Sequence, residues 1–123
     1  MTECVIPVSI GELYDKYTIL KIKCEKLSDS EKLFFVNKEI TLLKSHIDKY
    51  NLDVNIIEEL KTINTILWDV EENIREKEQK QEFDEAFIEL ARKVYITNDK
   101  RYIVKAKINS LFDSNIKEFK SYA

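Results

Sequence analysis

Apolar side chains recur at every third or fourth position along most of the chain, which is the spacing of one face of an α-helix. Four such stripes follow one another, separated by polar residues. The pattern predicts an all-α fold with helices over about residues 10–27, 28–50, 53–80 and from residue 84 onward. The stripes run from Ile10 to Leu27, from Leu33 to Tyr50, from Ile56 to Ile74 and from Phe83 to Leu111.

Residues that cap helix N-termini stand ahead of each stripe. Ser9 and Ser28 are each followed three residues later by a glutamate, which is the capping-box pattern. Asp53 and Asp84 are N-cap residues for the third and fourth helices. Each predicted helix therefore has a local signal for its start.

The two residues that most often interrupt helices are confined to one end of the chain. The only proline, Pro7, and the only glycine, Gly11, both lie in the first eleven residues. A fold of strands and tight turns needs glycine at many positions, whereas long helices do not. We predict an antiparallel bundle of about four helices, arranged as two helical hairpins in one domain over residues 1–123. Residues 1–9 are predicted as an extended lead-in and residues 113–123 as a loose tail.

The fourth stripe has a polar interruption between Thr97 and Arg101. Either the helix continues, with polar residues on its inner face, or it breaks at Asn98 and Asp99 caps a further helix. Asn98 and Asp99 are weak helix breakers, so we favour the continuous helix.

Composition excludes several classes of protein. No apolar run approaches the roughly 20 residues that cross a bilayer, and no basic segment precedes an apolar run as in a signal peptide. The net charge of −3 disfavours a nucleic-acid binder. Cys4 and Cys24 with the single His46 do not have the spacing of a zinc site. We therefore expect a cytoplasmic protein with reduced thiols and without a cofactor.

Charge is segregated along the second half of the chain. Residues 53–89 carry a net charge of −8, and residues 92–120 carry +5. An antiparallel hairpin that turns near residues 81–82 would bring Glu71 close to Arg92, and Glu58 close to Lys105. Such pairs would neutralise the two helices and help to fix their pairing. The alternative is that part of the basic face stays open for a phosphate or another anion.

Carboxylates three residues apart on a helix share a face and can hold a divalent cation. Glu12 with Asp15 and Asp69 with Glu72 have this spacing. A chain with 23 acidic residues contains such pairs by chance. We therefore predict no metal site and keep these four carboxylates as a weak alternative.

A set of polar residues falls beside the apolar stripes, where side chains face the interior of a bundle. Buried polar groups cost free energy unless they are paired, so this set forms either a mutually satisfied network or the lining of a pocket. A pocket of this composition would bind an anionic small molecule, such as a phosphorylated or sugar-nucleotide compound. The candidate residues are Glu12, Asp15 and Lys16 on the first helix, Trp68 and Arg75 on the third, and Asn98, Arg101 and Lys105 on the fourth.

Several of these residues belong to a wider pattern. The chain resembles an uncharacterised family of small bacterial and phage proteins that has no assigned activity. The resemblance implies a shared helical fold and a shared set of polar positions, and it names no ligand. The matching segments are residues 7–13, 15–16, 18–20, 67–69, 74–75, 87–88, 90–92, 94–95, 98–99 and 120–122, with Asn64, Glu71 and Arg101.

No catalytic constellation stands above chance, so the first hypothesis is a non-catalytic binding or assembly protein. The regular stripes predict coiled-coil-like packing and self-association, most simply as a dimer in which a second copy covers exposed apolar residues. The alternative hypothesis is a small enzyme or binding protein for a phosphorylated ligand.

Overall fold

The computed structural model describes residues 2–122 and consists of four α-helices, with no strand in that range. The helices are α1 (Ile10–Lys26), α2 (Ser30–Ile47), α3 (Val54–Gln79) and α4 (Glu85–Leu111). This confirms the all-α prediction. None of the helices in residues 2–122 contains a stretch that is long and apolar enough to cross a bilayer.

Side-chain caps fix where the helices begin. The Ser9 hydroxyl accepts a hydrogen bond from the Glu12 backbone N–H at 3.1 Å, and the Asp84 carboxylate accepts one from the Phe87 N–H at 3.0 Å. The second helix differs slightly from its prediction, because Asp29 and not Ser28 caps it. An ionised carboxylate is the stronger acceptor at a helix N-terminus, where the macrodipole is positive.

Helix α4 is continuous through Asn98, so the continuous reading of its polar interruption is confirmed. Thr97 is buried and Asn98 half-buried. The polar residues therefore lie on an inner face of α4, where they need partners from other helices.

The helices form two hairpins, and α1 is the helix that packs against all three others. Among the described residues, α2 packs against α1 and not against α3 or α4. The core lies where the base of the α3–α4 hairpin meets the first turns of α1. Its buried apolar members are Leu13, Tyr14, Ile47, Leu60, Ile63, Val104 and Ile108.

The α3–α4 hairpin extends beyond this core. No residue from 71 to 96 is buried, and this stretch includes the turn between the two helices. We call residues 71–96 the hairpin tip. The base of the same hairpin, by contrast, supplies most of the buried side chains of α3 and α4.

The segments at the two ends of the chain are irregular, and Ser114, which precedes the C-terminal one, is hydrogen-bonded to the first residue of α1. Residues 2–9 and 115–120 have no helix or strand, as predicted for the lead-in and the tail. The tail is nevertheless anchored: the buried Ser114 hydroxyl accepts a hydrogen bond from the Ile10 N–H at 3.2 Å and donates one to the Ile116 carbonyl at 2.7 Å. Met1 and Ala123, at the ends of these two segments, lie outside the described residues.

Candidate functional site

The site begins with a close approach of α1 to α4 at Gly11. A Cβ atom at this position would lie only 2.5 Å from the backbone oxygen of Lys105, so no larger residue fits without a shift. The Gly11 N–H donates a hydrogen bond of 2.7 Å to the Asn109 side-chain oxygen. This contact holds the first turns of α1 against α4, and it directs Glu12 and Asp15 toward that helix.

Asp15 is the centre of the polar cluster and is completely buried. Arg101 binds both of its carboxylate oxygens, with an Nε–Oδ1 distance of 2.9 Å. The Asn64 amide donates to the same Oδ1 atom at 2.9 Å and to the Thr18 hydroxyl at 3.0 Å. One carboxylate therefore connects α1, α3 and α4.

The surroundings of Asp15 keep it ionised. Burial by itself would raise the pKa of Asp15, but hydrogen bonds from Arg101 and Asn64, together with the charges of Arg101 and Lys105, lower it below its ordinary value. The same contact with Asp15 raises the pKa of Arg101 against the opposing effect of burial. A carboxylate saturated with donors in this way is poorly suited to exchange protons near neutral pH.

Lys105 carries the second half of the cluster. Only 8% of its side chain is exposed, and its ammonium lies 2.8 Å from Glu12 Oε2 and 3.7 Å from Asp15 Oδ2. A third carboxylate comes from the tail, where Glu118 Oε1 lies 3.5 Å from Lys105 Nζ. Glu118 also pairs with Lys120 at 3.1 Å. The tail thus closes over the buried lysine.

A cavity of about 210 Å³ lies between α1, α4 and the tail. Its walls contain three cationic side chains, two carboxylates, an amide and a phenol, and the buried Asp15 lies behind them. We call it the α1–α4–tail cavity. It is lined by Glu12, Asn98, Arg101, Tyr102, Lys105, Glu118 and Lys120.

Five of the eight predicted ligand-binding residues come together at this cluster. The other three lie elsewhere. Lys16 is exposed and lines a separate groove of about 510 Å³ beside the lead-in. Trp68 is half-buried and donates its indole N–H to Glu72 on its own helix at 3.1 Å, and Arg75 is exposed on the hairpin tip. The five that do meet are Glu12, Asp15, Asn98, Arg101 and Lys105.

The four carboxylates of the alternative metal site are not brought together. Asp69 pairs with Lys26 at 3.5 Å, and Glu72 accepts the hydrogen bond from Trp68. Glu12 and Asp15 are neutralised by cations of α4. Within residues 2–122, no group of three or more potential ligands among histidine, cysteine, aspartate and glutamate is arranged to hold a metal ion.

The predicted ion pairs between α3 and α4 are wrong. Lys105 points to α1 and the tail and not to Glu58, and Arg92 pairs with Glu89 on its own helix at 3.3 Å. The close approach at Gly11 explains why Lys105 does not pair with Glu58. It brings carboxylates of α1 nearer to the Lys105 ammonium than those of α3.

A second concave surface lies between α3 and α4. We call this surface, of about 430 Å³, the outer groove. Ile63 and Val104 form its buried floor, and Glu59 and Lys100 lie at its edges. The full lining is Glu59, Thr62, Ile63, Ile66, Lys100, Ile103 and Val104.

Sequence reasoning missed several residues of the site, among them Tyr102 and Lys120 in the cavity wall. Thr18 donates to the Asp15 carbonyl at 2.9 Å, and its place one helical turn after Asp15 was the available signal. Asn109 and Ser114 hold the end of α1, and Glu118 reaches Lys105 from an irregular segment. No helical periodicity marks a residue of the tail, so Glu118 had no local signal.

The comparisons with known proteins agree with the resemblance seen in the sequence. The model of a family of unknown function, DUF6165, matches residues 4–123. No curated protein and no solved structure matches the chain.

Proposed function

Because the chain belongs to this family of unknown function, whose description names no activity, we propose a function from the geometry alone: the protein is a self-associating helical bundle that acts as a non-catalytic binding or assembly module. Its dimer forms through the outer groove, with coiled-coil-like packing. We place it in the cytoplasm because Cys4 and Cys24 are both free thiols. The observation that carries the proposal is the apolar lining of the outer groove.

The outer groove exposes aliphatic side chains that the chain itself does not cover. Ile103 is 64% exposed and Ile66 is 43% exposed, although both stand beside buried core residues. Ile96, which is 39% exposed, precedes Ile103 by seven residues and so lies on the same side of α4. Covering such surface stabilises an interface by about 25 cal/mol for each Å² removed from water.

The charges at the groove edges favour a second copy of this chain as the occupant. Glu59 lies on the α3 edge and Lys100 on the α4 edge, and neither forms an ion pair within residues 2–122. A two-fold axis parallel to the helices lays α3 of one copy over α4 of its partner, so that each acidic edge faces a basic edge. An axis across the helices would instead oppose α3 to α3, which places like charges together.

The hairpin tip is consistent with the same arrangement. Helices that bury no residue are marginally stable in water, because tertiary packing supplies most of the stability of a helix. In a dimer with the parallel axis, two tips lie side by side as four helices. Ile96, at the end of the tip and on the groove side of α4, is then covered by the partner.

The polar cluster supports a role without catalysis. No buried side-chain nitrogen or oxygen atom in the described part of the chain lacks a hydrogen-bond partner. The ionised Asp15 and the buried Lys105 are therefore used to fix α1 on α4. Both groups are already engaged in ion pairs and hydrogen bonds, so neither is available for a reaction.

The first test is the mass of the protein in solution. Light scattering after size exclusion at micromolar concentration should give twice the 14.6 kDa of one chain. Ile103→Glu should give the monomer, because it places a carboxylate in the middle of the interface without disturbing the core. Phe35→Glu is the matched control, since Phe35 is 60% exposed on α2 and lies outside the groove. A monomeric wild type, or a dimer broken by Phe35→Glu and not by Ile103→Glu, would contradict the proposal.

The second test uses charge reversal. Glu59→Lys makes both groove edges basic and Lys100→Glu makes both acidic, so each variant alone should dimerise less than the wild type. A mixture of the two variants restores opposite charges on both sides of the two-fold axis. The mixture should therefore form a heterodimer that associates more strongly than either variant alone. High salt should reduce this difference in association. If the wild type, the two variants and their mixture all associated equally, the edge charges would play no part in dimerisation. The role of the apolar residues would then be decided by the first test.

A further inference from the structure

The α1–α4–tail cavity contains one carboxylate that differs from the others. Asp15 is 1% exposed and part of α1, and Glu12 also belongs to that helix. Glu118 is 42% exposed and belongs to the tail, which has no regular structure around it. It is therefore the wall of the cavity that can leave with the least disturbance of the fold.

Glu118 balances a positive charge that would otherwise remain. The cavity region holds Arg101, Lys105 and Lys120, and without Glu118 only Glu12 and Asp15 oppose them. The Glu118 carboxylate lies between two of these cations, 3.5 Å from Lys105 Nζ and 3.1 Å from Lys120 Nζ. This is the position an anionic group would take if the Glu118 side chain turned outward while the tail backbone, and with it Lys120, stayed in place.

We propose that the α1–α4–tail cavity is a binding site for a phosphate group, and that the Glu118 carboxylate occupies the place of that phosphate in the chain on its own. When the Glu118 side chain alone turns outward and the tail backbone stays in place, it leaves the ammonium groups of Lys105 and Lys120 as donors. The Arg101 guanidinium, the Asn98 amide and the Tyr102 hydroxyl lie in the same wall. Several donors converging on one point suit the multiple acceptor oxygens of phosphate.

The size of the cavity and the covalent attachment of Glu118 to the chain further restrict which ligands can bind. With Glu118 in its wall the cavity measures about 210 Å³, and a phosphate that replaces one carboxylate needs little more room, whereas pockets for whole drug-sized ligands begin near 300 Å³. We therefore assign a small phosphate or the phosphate end of a small ester, and not a nucleotide. A free carboxylate has the same chemistry as Glu118 but lacks its high effective concentration, so it would not displace the Glu118 side chain.

The experiment is a titration with inorganic phosphate at constant ionic strength, followed by calorimetry, with acetate as the comparison anion. Glu118→Gln keeps the shape of the side chain and removes its charge. If the Glu118 carboxylate occupies the site about nine-tenths of the time, this variant should bind phosphate about tenfold more tightly than the wild type. Lys120→Ala in the Glu118→Gln background should weaken phosphate binding again, and acetate should not bind the wild type, in which the Glu118 carboxylate occupies the site.

Glu89→Gln is the matched control, because it removes one exposed carboxylate from α4 outside the cavity. It should leave the phosphate affinity of the wild type unchanged. Absence of saturable phosphate binding by Glu118→Gln, or equal affinities of the Glu118→Gln and Glu89→Gln variants, would overturn the proposal. Lys105 faces α1 and the outer groove lies on another face of α4, so a failure of dimerisation would leave this test unaffected.

Discussion

The base and the tip of the α3–α4 hairpin use the same kinds of charged residue in opposite surroundings. At the base, Asp15 and Lys105 are buried, and every polar atom around them has a partner. At the tip, Lys77 pairs with Glu82 at 3.1 Å and with Asp84 at 2.9 Å, but both carboxylates are about half exposed. The two regions therefore differ in burial and not in chemistry.

Burial decides what each ion pair does. Removing one partner of a buried pair leaves an uncompensated charge in the protein interior, whereas water replaces a lost partner at the surface. The base is expected to hold α1 in a single position on α4. The tip is held mainly by its caps and by the half-buried seam between its two helices.

The largest effect should come from Asp15→Ala. The substitution leaves Arg101, Asn64 and Lys105 without their shared acceptor, and loss of one partner from a buried pair costs about 3–5 kcal/mol. The free energy of unfolding, measured with urea, should fall by this amount. A decrease below about 1 kcal/mol, in the range of exposed ion pairs, would show that the cluster is more hydrated than its burial indicates.

The pH dependence of Asp15→Asn provides the control. A pKa lowered in the folded state stabilises the fold above the unfolded-state value of about 3.9, and this contribution is lost as the pH falls through the folded-state pKa. The difference in unfolding free energy between wild type and Asp15→Asn should therefore be constant from about pH 5 to pH 8 and shrink below about pH 4. A difference that does not change with pH would argue against an ionised Asp15.

Gly11→Ala should have the next largest effect. The added Cβ would lie 2.5 Å from the Lys105 carbonyl oxygen and 3.0 Å from the Asn109 side-chain oxygen, so α1 must move away from α4. Alanine favours a helix by about 1 kcal/mol relative to glycine, but overpacking costs about 1–3 kcal/mol, and we expect a net loss. Thermal unfolding measures it, with Lys16→Ala on the exposed side of α1 as the control. A more stable Gly11→Ala variant would mean that the two helices can separate freely.

The same glycine shows what the sequence could and could not predict. Periodicity and caps are local signals, and they placed all four helices and the continuous α4. The partners of the α4 cations depend on how closely two helices approach each other. The spacing of apolar residues along the chain does not reveal this distance. Gly11 brings Glu12 to Lys105, so the expected pairing of Lys105 with Glu58 does not form.

The candidate site was predictable to the extent that it lies on helices. Asp15, Arg101 and Lys105 stand beside the apolar stripes of α1 and α4, on the side that faces the interior, and they do meet. Arg75 follows the same logic on α3 but lies in the hairpin tip, where no residue is buried. Glu118 comes from an irregular segment whose path depends on tertiary contacts such as that of Ser114 with Ile10.

The smallest effect should come from Lys77→Met at the tip. The substitution removes the ion pairs with Glu82 and Asp84 but keeps most of the aliphatic side chain. Exposed pairs contribute little and are screened by salt, so amide exchange in residues 77–90 should become only about two- to fivefold faster, and this difference should vanish at high salt. Exchange at the base, in residues 100–109, should not change, because the two regions open separately. If Lys77→Met accelerated exchange at the base as well, the hairpin would unfold as one unit, and the contrast between a fixed base and a weakly held tip would be wrong.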